Sequence, residues 1–239
     1  NYRDKFIIGT GLNSLVDNIN LIKIAKSNGF NKFLIMPPAY YKYSDHDVVN
    51  FYSRIIDEIN ECKIILYNFE KLSGYKFSID CVEELVKKFP SQIVGVKDSS
   101  YNLYENLKID NFSVMPGSES KLLKGLELGC SGIITATTNV TSILARDVYD
   151  KFQNGSDQSS NEKLCLVRSI FDKFNLISGL HTFMAQIDKD YQNLIPPLKL
   201  LNENEKKIFF AELQKLDFDF KHLKACLLYT SPSPRDMTG

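Results

Sequence analysis

A lysine and a tyrosine each stand at the end of a short apolar run, at the point where a buried strand would end. Lys97 follows Ile93-Val-Gly-Val, and Tyr67 closes Ile64-Ile-Leu-Tyr. An ammonium group enclosed by apolar side chains is desolvated, which lowers its pKa and raises the fraction of free amine that can attack a carbonyl carbon. A neighbouring phenol can carry protons between the carbinolamine, the imine and the leaving group. The pair indicates Schiff-base catalysis, although a solvated loop lysine and a core aromatic would leave the same pattern.

The elements that would position these residues repeat along the chain. Six short apolar runs are too short for core helices and too continuous for half-exposed strands, so they predict strands that are buried on both faces. The runs are Phe6-Ile-Ile, Phe33-Leu-Ile-Met, Ile64-Ile-Leu-Tyr, Ile93-Val-Gly-Val, Phe112-Ser-Val-Met and Gly132-Ile-Ile-Thr. Tyr67 and Lys97 would therefore lie on adjacent strands.

Amphipathic segments separate the runs and predict helices. Their apolar residues follow the three-and-four spacing of one helical face. The segments are 15–26, 47–59, 79–89 and 120–128. A repeated strand and helix predicts a parallel sheet covered by helices, either a barrel or a doubly wound sheet. The barrel is favoured because no Gly-x-Gly-x-x-Gly follows a strand; Gly9-Thr-Gly11 is shorter than that motif.

The end of the chain differs from its start. After Val140 the pattern predicts helices only, at 142–152, 161–174 and from about Asn202 toward Leu216. We therefore expect a barrel portion at 1–150 and a C-terminal helical region at 151–224. Residues 225–239 depart from this texture and resemble the translation of an adapter oligonucleotide, so they are interpreted as a non-native tail.

Composition narrows the classes of function. Lys and Arg total 29 and so do Asp and Glu, which leaves no basic surface for nucleic acid or an anionic membrane. No apolar run approaches the roughly 20 residues that a membrane helix needs. The five cysteines contain no Cys-x-x-Cys pair and the three histidines are far apart, so neither a disulfide framework nor a metal site is expected. These features predict a cytoplasmic protein that binds small molecules or other proteins and uses no metal or cofactor.

Six motifs in register resemble one known group of enzymes, the dihydrodipicolinate synthase / N-acetylneuraminate lyase family. The resemblance covers about residues 5 to 220. Its motifs are Gly9-Thr-Gly11, Pro37-Pro-Ala-Tyr-Tyr-Lys42, Leu66-Tyr-Asn-Phe-Glu-Lys-Leu-Ser-Gly74, Gly95-Val-Lys-Asp-Ser-Ser100, Gly117-Ser-Glu119, and Gly129-x-x-Gly132 with Asn139.

The resemblance implies an α/β fold, a (β/α)8 TIM barrel with a C-terminal helical extension, that acts on pyruvate or a related 2-oxo acid. Lys97 then resembles the imine-forming lysine and Tyr67 the proton-relay tyrosine. Tyr40 or Tyr41 resembles a tyrosine that reaches across a subunit interface into the neighbouring subunit's site, so the resemblance implies a homodimer or homotetramer. Gly132 resembles a glycine whose backbone lies beside the substrate.

Two departures from the family's pattern are visible. The first two barrel strands, which carry a Gly-Thr-Thr loop for the pyruvate carboxylate, have no counterpart, so the six predicted strands correspond to strands 3–8 and about 60–70 residues would precede them. We expect such a fragment to bind pyruvate poorly. In addition, Leu72 stands where dihydrodipicolinate synthases carry an arginine that grips the second substrate's carboxylate. Leucine cannot make that contact.

Three hypotheses follow. The first is a Schiff-base lyase or aldolase that joins pyruvate reversibly to an aldehyde or oxo acid, with Leu72 near the second substrate. The second is 4-hydroxy-tetrahydrodipicolinate synthase, which condenses pyruvate with aspartate semialdehyde. The third is a non-catalytic relative that binds a 2-oxo acid.

Overall fold

The computed structural model of the chain describes residues 2–59 and 61–220. Within these residues five parallel strands form one sheet in the order β1-β2-β3-β4-β5. The strands are β1 Ile8–Gly9, β2 Lys32–Ile35, β3 Lys63–Asn68, β4 Ile93–Asp98 and β5 Ser113–Pro116. Each pairs with the next along the chain, as the βα repeat predicts. The predicted tail at 225–239 lies outside the described residues.

Helices connect the strands and continue beyond them. They are α1 Leu15–Ser27, α2 Asp45–Glu58, α3 Glu70–Ser73, α4 Ile79–Lys88, α5 Leu122–Glu127, α6 Thr138–Gln153, α7 Ser159–Phe171, α8 Leu176–Met184 and α9 Glu203–Lys215. Ser44 begins α2 through a capping box with Asp47, and Asn202 does the same for α9 with Glu205. Among the described helices, none is long and apolar enough to cross a membrane.

Two compact units account for the described residues. The first contains residues up to Gly117 together with Lys124–Ile134, and the second contains Ser118–Leu123 and the chain from Thr135 on. The core of the first packs apolar side chains of the strands against α1, α2 and α4, among them the fully buried Phe33, Tyr52 and Leu66. The core of the second is rich in phenylalanine, with Phe171, Phe183 and Phe209 in mutual contact.

The sequence prediction was wrong at two elements. The sixth apolar run, Gly132-Ile-Ile-Thr, forms no strand, although the amides of Ser131 and Ile134 donate to carbonyls of β5. Gly132 adopts φ +143°, which interrupts the extended backbone that a strand needs. Helix α8 was not predicted because its segment is mostly apolar and contains Gly179, so few polar residues mark an exposed face. Asn175 caps it by accepting from the amide of Ser178.

Candidate active site

The carboxyl ends of β3 and β4 bring Tyr67 and Lys97 together. The two strands start in one register, with Ile64 beside Ile93, and then shift by one residue so that Ile65 lies beside Gly95. This bulge aligns Tyr67 with Lys97, whereas the starting register would place it beside Val96. The next strand approaches closely at the bulge. A Cβ atom at Gly95 would lie 2.6 Å from the carbonyl oxygen of Ser113, so only glycine fits there.

Lys97 is enclosed by its neighbours in the sheet. Its paired residues are Tyr67 on β3 and Met115 on β5. Its Nζ lies 4.1 Å from the centre of the Tyr67 ring. Within the described part of the chain, no carboxylate forms an ion pair with it. Burial lowers the pKa of Lys97 to about 8, because the charged form loses hydration. A large fraction of the amine is therefore uncharged in mildly alkaline solution.

The phenol of Tyr67 is half-buried and hydrogen bonded to Ser99. Burial raises the pKa of the phenol, and the bond from Ser99 partly offsets that rise. Ser99 is placed by a hydrogen bond from its amide to the carbonyl oxygen of Asn68, 2.8 Å long. Gly117 leaves room for it, since a Cβ atom there would lie 2.1 Å from the Ser99 Oγ. Sequence reasoning missed Ser99, although its place two residues after Lys97 was a usable signal.

A buried polar pair, Asn68 and Asp98, follows Tyr67 and Lys97 on the two strands. The amide Nδ2 of Asn68 donates to the Asp98 carboxylate over 2.8 Å, and neither side chain is exposed. Sequence reasoning did not assign a role to either residue. The run Asp98-Ser-Ser was a signal, because an aspartate at a strand end commonly caps the backbone that follows it.

Leu72 lies on the short helix α3, directly after β3. Its side chain is 55% exposed. The neighbouring charges on this segment, Glu70 and Lys76, pair with each other over 3.2 Å. Leu72 therefore presents an apolar group on the segment that follows Tyr67. Its predicted contact with the second substrate stays a prediction.

Tyr40 and Tyr41 lie in the loop after β2 and are highly exposed, at 89% and 67%. Their rings meet edge to face with centres 5.1 Å apart. Tyr40 has φ +89°, a conformation that is uncommon for residues other than glycine. Neither tyrosine is brought into contact with Lys97, and their predicted role across an interface stays a prediction.

Gly132 lies in the segment after α5 and adopts φ +143°. A Cβ atom there would meet no protein atom within 4 Å, so the requirement for glycine comes from the backbone conformation and not from crowding by the protein. Its predicted place beside the substrate stays a prediction. Across the described residues, His, Cys, Asp and Glu form no group of three that could hold a metal ion.

Comparison with known proteins identifies the family to which the chain is similar. The model of the dihydrodipicolinate synthetase family matches residues 2–216. The 4-hydroxy-tetrahydrodipicolinate synthase of Methanopyrus kandleri is 28% identical over 219 residues, which are 88% of this chain and 72% of that protein. The 2-dehydro-3-deoxy-D-gluconate/2-dehydro-3-deoxy-phosphogluconate aldolase of Picrophilus torridus is also 28% identical, over 66% of this chain and 60% of that protein. Proteins with two different activities thus show the same percentage identity to this chain, over matches of different length.

A solved structure agrees on the fold. The chain matches a prophage protein of the dihydrodipicolinic acid synthase family from E. coli K12, crystallised in complex with pyruvate, with a TM-score of 0.75 and 22% identity. The match covers 89% of this chain and 75% of that chain. The predicted parallel α/β barrel fold is confirmed. With its fold and 215 of its residues matched, the chain belongs to the dihydrodipicolinate synthetase family of class I aldolases and lyases.

Proposed function

We propose that this protein is a lyase or aldolase that joins pyruvate, or a related 2-oxo acid, reversibly to an aldehyde or second oxo acid. Lys97 is the nucleophile and Tyr67 the proton relay. The observation that carries the proposal is the apposition of the two side chains, with the Lys97 Nζ 4.1 Å from the Tyr67 ring centre, together with the fall in the pKa of Lys97 to about 8. An amine with this pKa is both available and nucleophilic near neutral pH.

The chemistry uses each group in turn. The Lys97 nitrogen attacks the carbonyl carbon of pyruvate, and the carbonyl oxygen takes up a proton to give a carbinolamine. Loss of that oxygen as water leaves the imine. The imine draws electrons from the adjacent methyl group, which loses a proton and attacks the aldehyde carbon. The Tyr67 hydroxyl, hydrogen bonded to Ser99, moves protons at the oxygen atoms in these steps.

Trapping with borohydride tests the covalent step. The full-length protein is incubated with pyruvate and sodium borohydride, digested, and its peptides are weighed by mass spectrometry. We expect the reduced pyruvyl adduct on the peptide that contains Lys97 and no adduct in Lys97→Ala. A parent protein that stays unlabelled, while a known family member is labelled in parallel, would show that the mechanism is wrong.

The chemical class of the second substrate is inferred from the side chain of Leu72. Its exposed apolar side chain follows Tyr67 on α3, and it cannot bind a carboxylate through a bidentate contact as arginine does. We therefore favour an aldehyde that is recognised through other groups, as a sugar-derived aldehyde would be. The similarity to the Picrophilus torridus aldolase supports this choice.

The synthase reaction remains the second candidate, supported by the 28% identity to the Methanopyrus kandleri enzyme over 88% of this chain. Incubation of the full-length protein with pyruvate and aspartate semialdehyde tests it. Formation of the heterocyclic product would favour the synthase, and its absence alongside successful pyruvate trapping would favour the aldolase. Pyruvate binding by calorimetry with no turnover on either kind of aldehyde would favour a non-catalytic relative.

We also propose that Tyr40 and Tyr41 meet a second copy of this chain in a homodimer or homotetramer. Two neighbouring tyrosines that are 89% and 67% exposed are large amphipathic groups of the kind enriched at interfaces. Sedimentation of the parent and of Tyr40→Ser/Tyr41→Ser tests this proposal. A parent that sediments as a monomer would contradict it.

A further inference from the structure

A second aligned pair lies one residue beyond Tyr67 and Lys97 on the same two strands. Asn68 is paired with Asp98 in the sheet, and both side chains are completely buried. Because side chains alternate along a strand, this pair lies on the opposite face of the sheet from Tyr67 and Lys97. The bulge that aligns one pair thus aligns the other.

The carboxylate of Asp98 holds the loop that follows Lys97. Its oxygens accept from the backbone amides of Tyr101, Leu103 and Tyr104, at 2.9, 2.8 and 2.9 Å. With the bond from Asn68, the carboxylate accepts four hydrogen bonds. Bonds to an ionised acceptor are the stronger kind, so they fix the course of the backbone after Lys97.

The amide of Asn68 connects this loop to the segment that carries Leu72. Its Nδ2 donates a second bond, to the Oδ1 of Asn102 over 2.9 Å, and its Oδ1 accepts from the amide of Phe77 over 3.1 Å. Asn102 completes this hydrogen-bond network by donating to the carbonyl oxygen of Phe77 over 2.8 Å. The loops after β3 and β4 are therefore held to one cluster, formed by the fully buried Asn68 and Asp98 and the half-buried Asn102.

Asp98 is adjacent to Lys97 in sequence but does not act as its counter-ion. A facing carboxylate would favour the ammonium form and raise its pKa, whereas burial alone accounts for the lowered pKa of Lys97. Of the residues paired with Lys97 in the sheet, Tyr67 can ionise and Met115 cannot. The role of Asp98 is thus in the hydrogen bonds on the other face.

We propose that Asn68 and Asp98 are positioning residues that act through Tyr67 and Lys97. Their hydrogen bond fixes the register that places the amine over the phenol ring, and Asn102 extends this control to the loop that carries Leu72. This inference rests on the proposed function, because it assumes that Lys97 reacts with a 2-oxo acid.

The substitution Asp98→Asn tests the inference, since it keeps the size of the side chain and removes its charge. The rate of borohydride trapping with pyruvate is measured on the Lys97 peptide across pH values on both sides of 8, for the parent and the variant. We expect the midpoint pH to be unchanged and the high-pH rate to fall by about tenfold or more, because small misplacements of reacting groups are costly. Tyr52→Phe is the control. It removes one buried hydrogen bond, from the Tyr52 hydroxyl to the carbonyl oxygen of Ile35, and should alter neither quantity.

The outcomes separate the possible explanations. A midpoint that moves to lower pH in Asp98→Asn would show that Asp98 supports the charge of Lys97, and an unchanged high-pH rate would show that it does not position the amine. Either result overturns the inference while leaving the proposed function intact. A parent that is not labelled by pyruvate overturns the proposed function and this inference together. If Asp98→Asn does not fold, Asn102→Ser takes its place, because Asn102 is only half-buried. An unchanged high-pH rate in that variant would overturn the inference.

Discussion

The ammonium nitrogen of Lys97 lies over the face of the Tyr67 ring, 4.1 Å from its centre. The ring and the hydroxyl of Tyr67 therefore have separate roles. The ring covers the amine on one side and contributes to its desolvation, and a cation over a tyrosine face gains about 0.5–2 kcal/mol. The hydroxyl oxygen accepts a hydrogen bond from Ser99, so the proton of the hydroxyl remains available for transfer to a substrate oxygen.

Substitutions at Tyr67 can separate the two roles. In Tyr67→Phe the ring remains over Lys97 while the hydroxyl is lost, so we expect pyruvate trapping to reach its full extent and kcat to fall by about 10²–10⁴-fold. In Tyr67→Leu the ring is lost as well. Leucine keeps an apolar cover on the amine, but the ring face that favours the ammonium form is gone, so the pH midpoint of trapping should move downward. The measurements are borohydride trapping and steady-state turnover. Full turnover by Tyr67→Phe would exclude the hydroxyl as a proton relay.

The burial of Lys97 should reduce stability at neutral pH. Its pKa falls from 10.5 to about 8 on folding, so between these values the unfolded chain binds more protons than the folded one. The penalty that Lys97 imposes on stability should therefore diminish as pH increases from 8 to 10.5, and below 8 the full penalty applies. Lys97→Met removes the penalty, and we expect it to be more stable by about 2 kcal/mol at pH 7.

Urea unfolding of the parent and of Lys97→Met at several pH values checks this prediction. The difference between the two should shrink as the pH approaches 10.5, because Lys97 is neutral in the folded chain above pH 8 and its charged fraction in the unfolded chain falls to one half at 10.5. Other groups titrate in both proteins and cancel in the difference. A difference that does not change with pH would contradict the lowered pKa.

The sequence predicted the βα repeat and the facing Tyr67 and Lys97 because both depend on local patterns. Continuous apolar runs identify buried strands, and parallel strands that are consecutive in the chain usually pair. The bulge at Gly95 was not predictable, because it depends on how closely β5 approaches β4. The hydrogen bonds of Asn68 and Asp98 join residues that lie up to 34 positions apart in the chain. Contacts of this kind have no periodic signal in the sequence.

Ser99 should tune the phenol of Tyr67. Burial raises the pKa of the phenol and the hydrogen bond from Ser99 lowers it, so Ser99→Ala should raise the pKa further and slow turnover by about tenfold. The extent of pyruvate trapping should not change, since the amine is untouched. The chain contains 12 tyrosines, so the signal of Tyr67 must be separated from the others. Ultraviolet titration is carried out on the parent and on Ser99→Ala, and the curve of the same protein with Tyr67→Phe added is subtracted from each. An unshifted Tyr67 component would show that the bond to Ser99 has no effect.

A buried ion pair in the second unit should contribute more to stability than an exposed one. Glu119 is completely buried, and its Oε2 accepts from the Arg168 Nη1 over 2.8 Å, with further bonds from the hydroxyls of Thr135 and Thr141 at 3.0 Å. Removing one partner leaves a buried charge without compensation, so Arg168→Met should lower the free energy of unfolding by about 3–5 kcal/mol. Arg146→Met breaks the exposed pair of Arg146 with Asp150 and should cost much less, because solvent screens that pair. Urea denaturation of both variants gives the two losses in free energy of unfolding. Equal losses would show that the burial of Glu119 does not make its ion pair with Arg168 more important for stability.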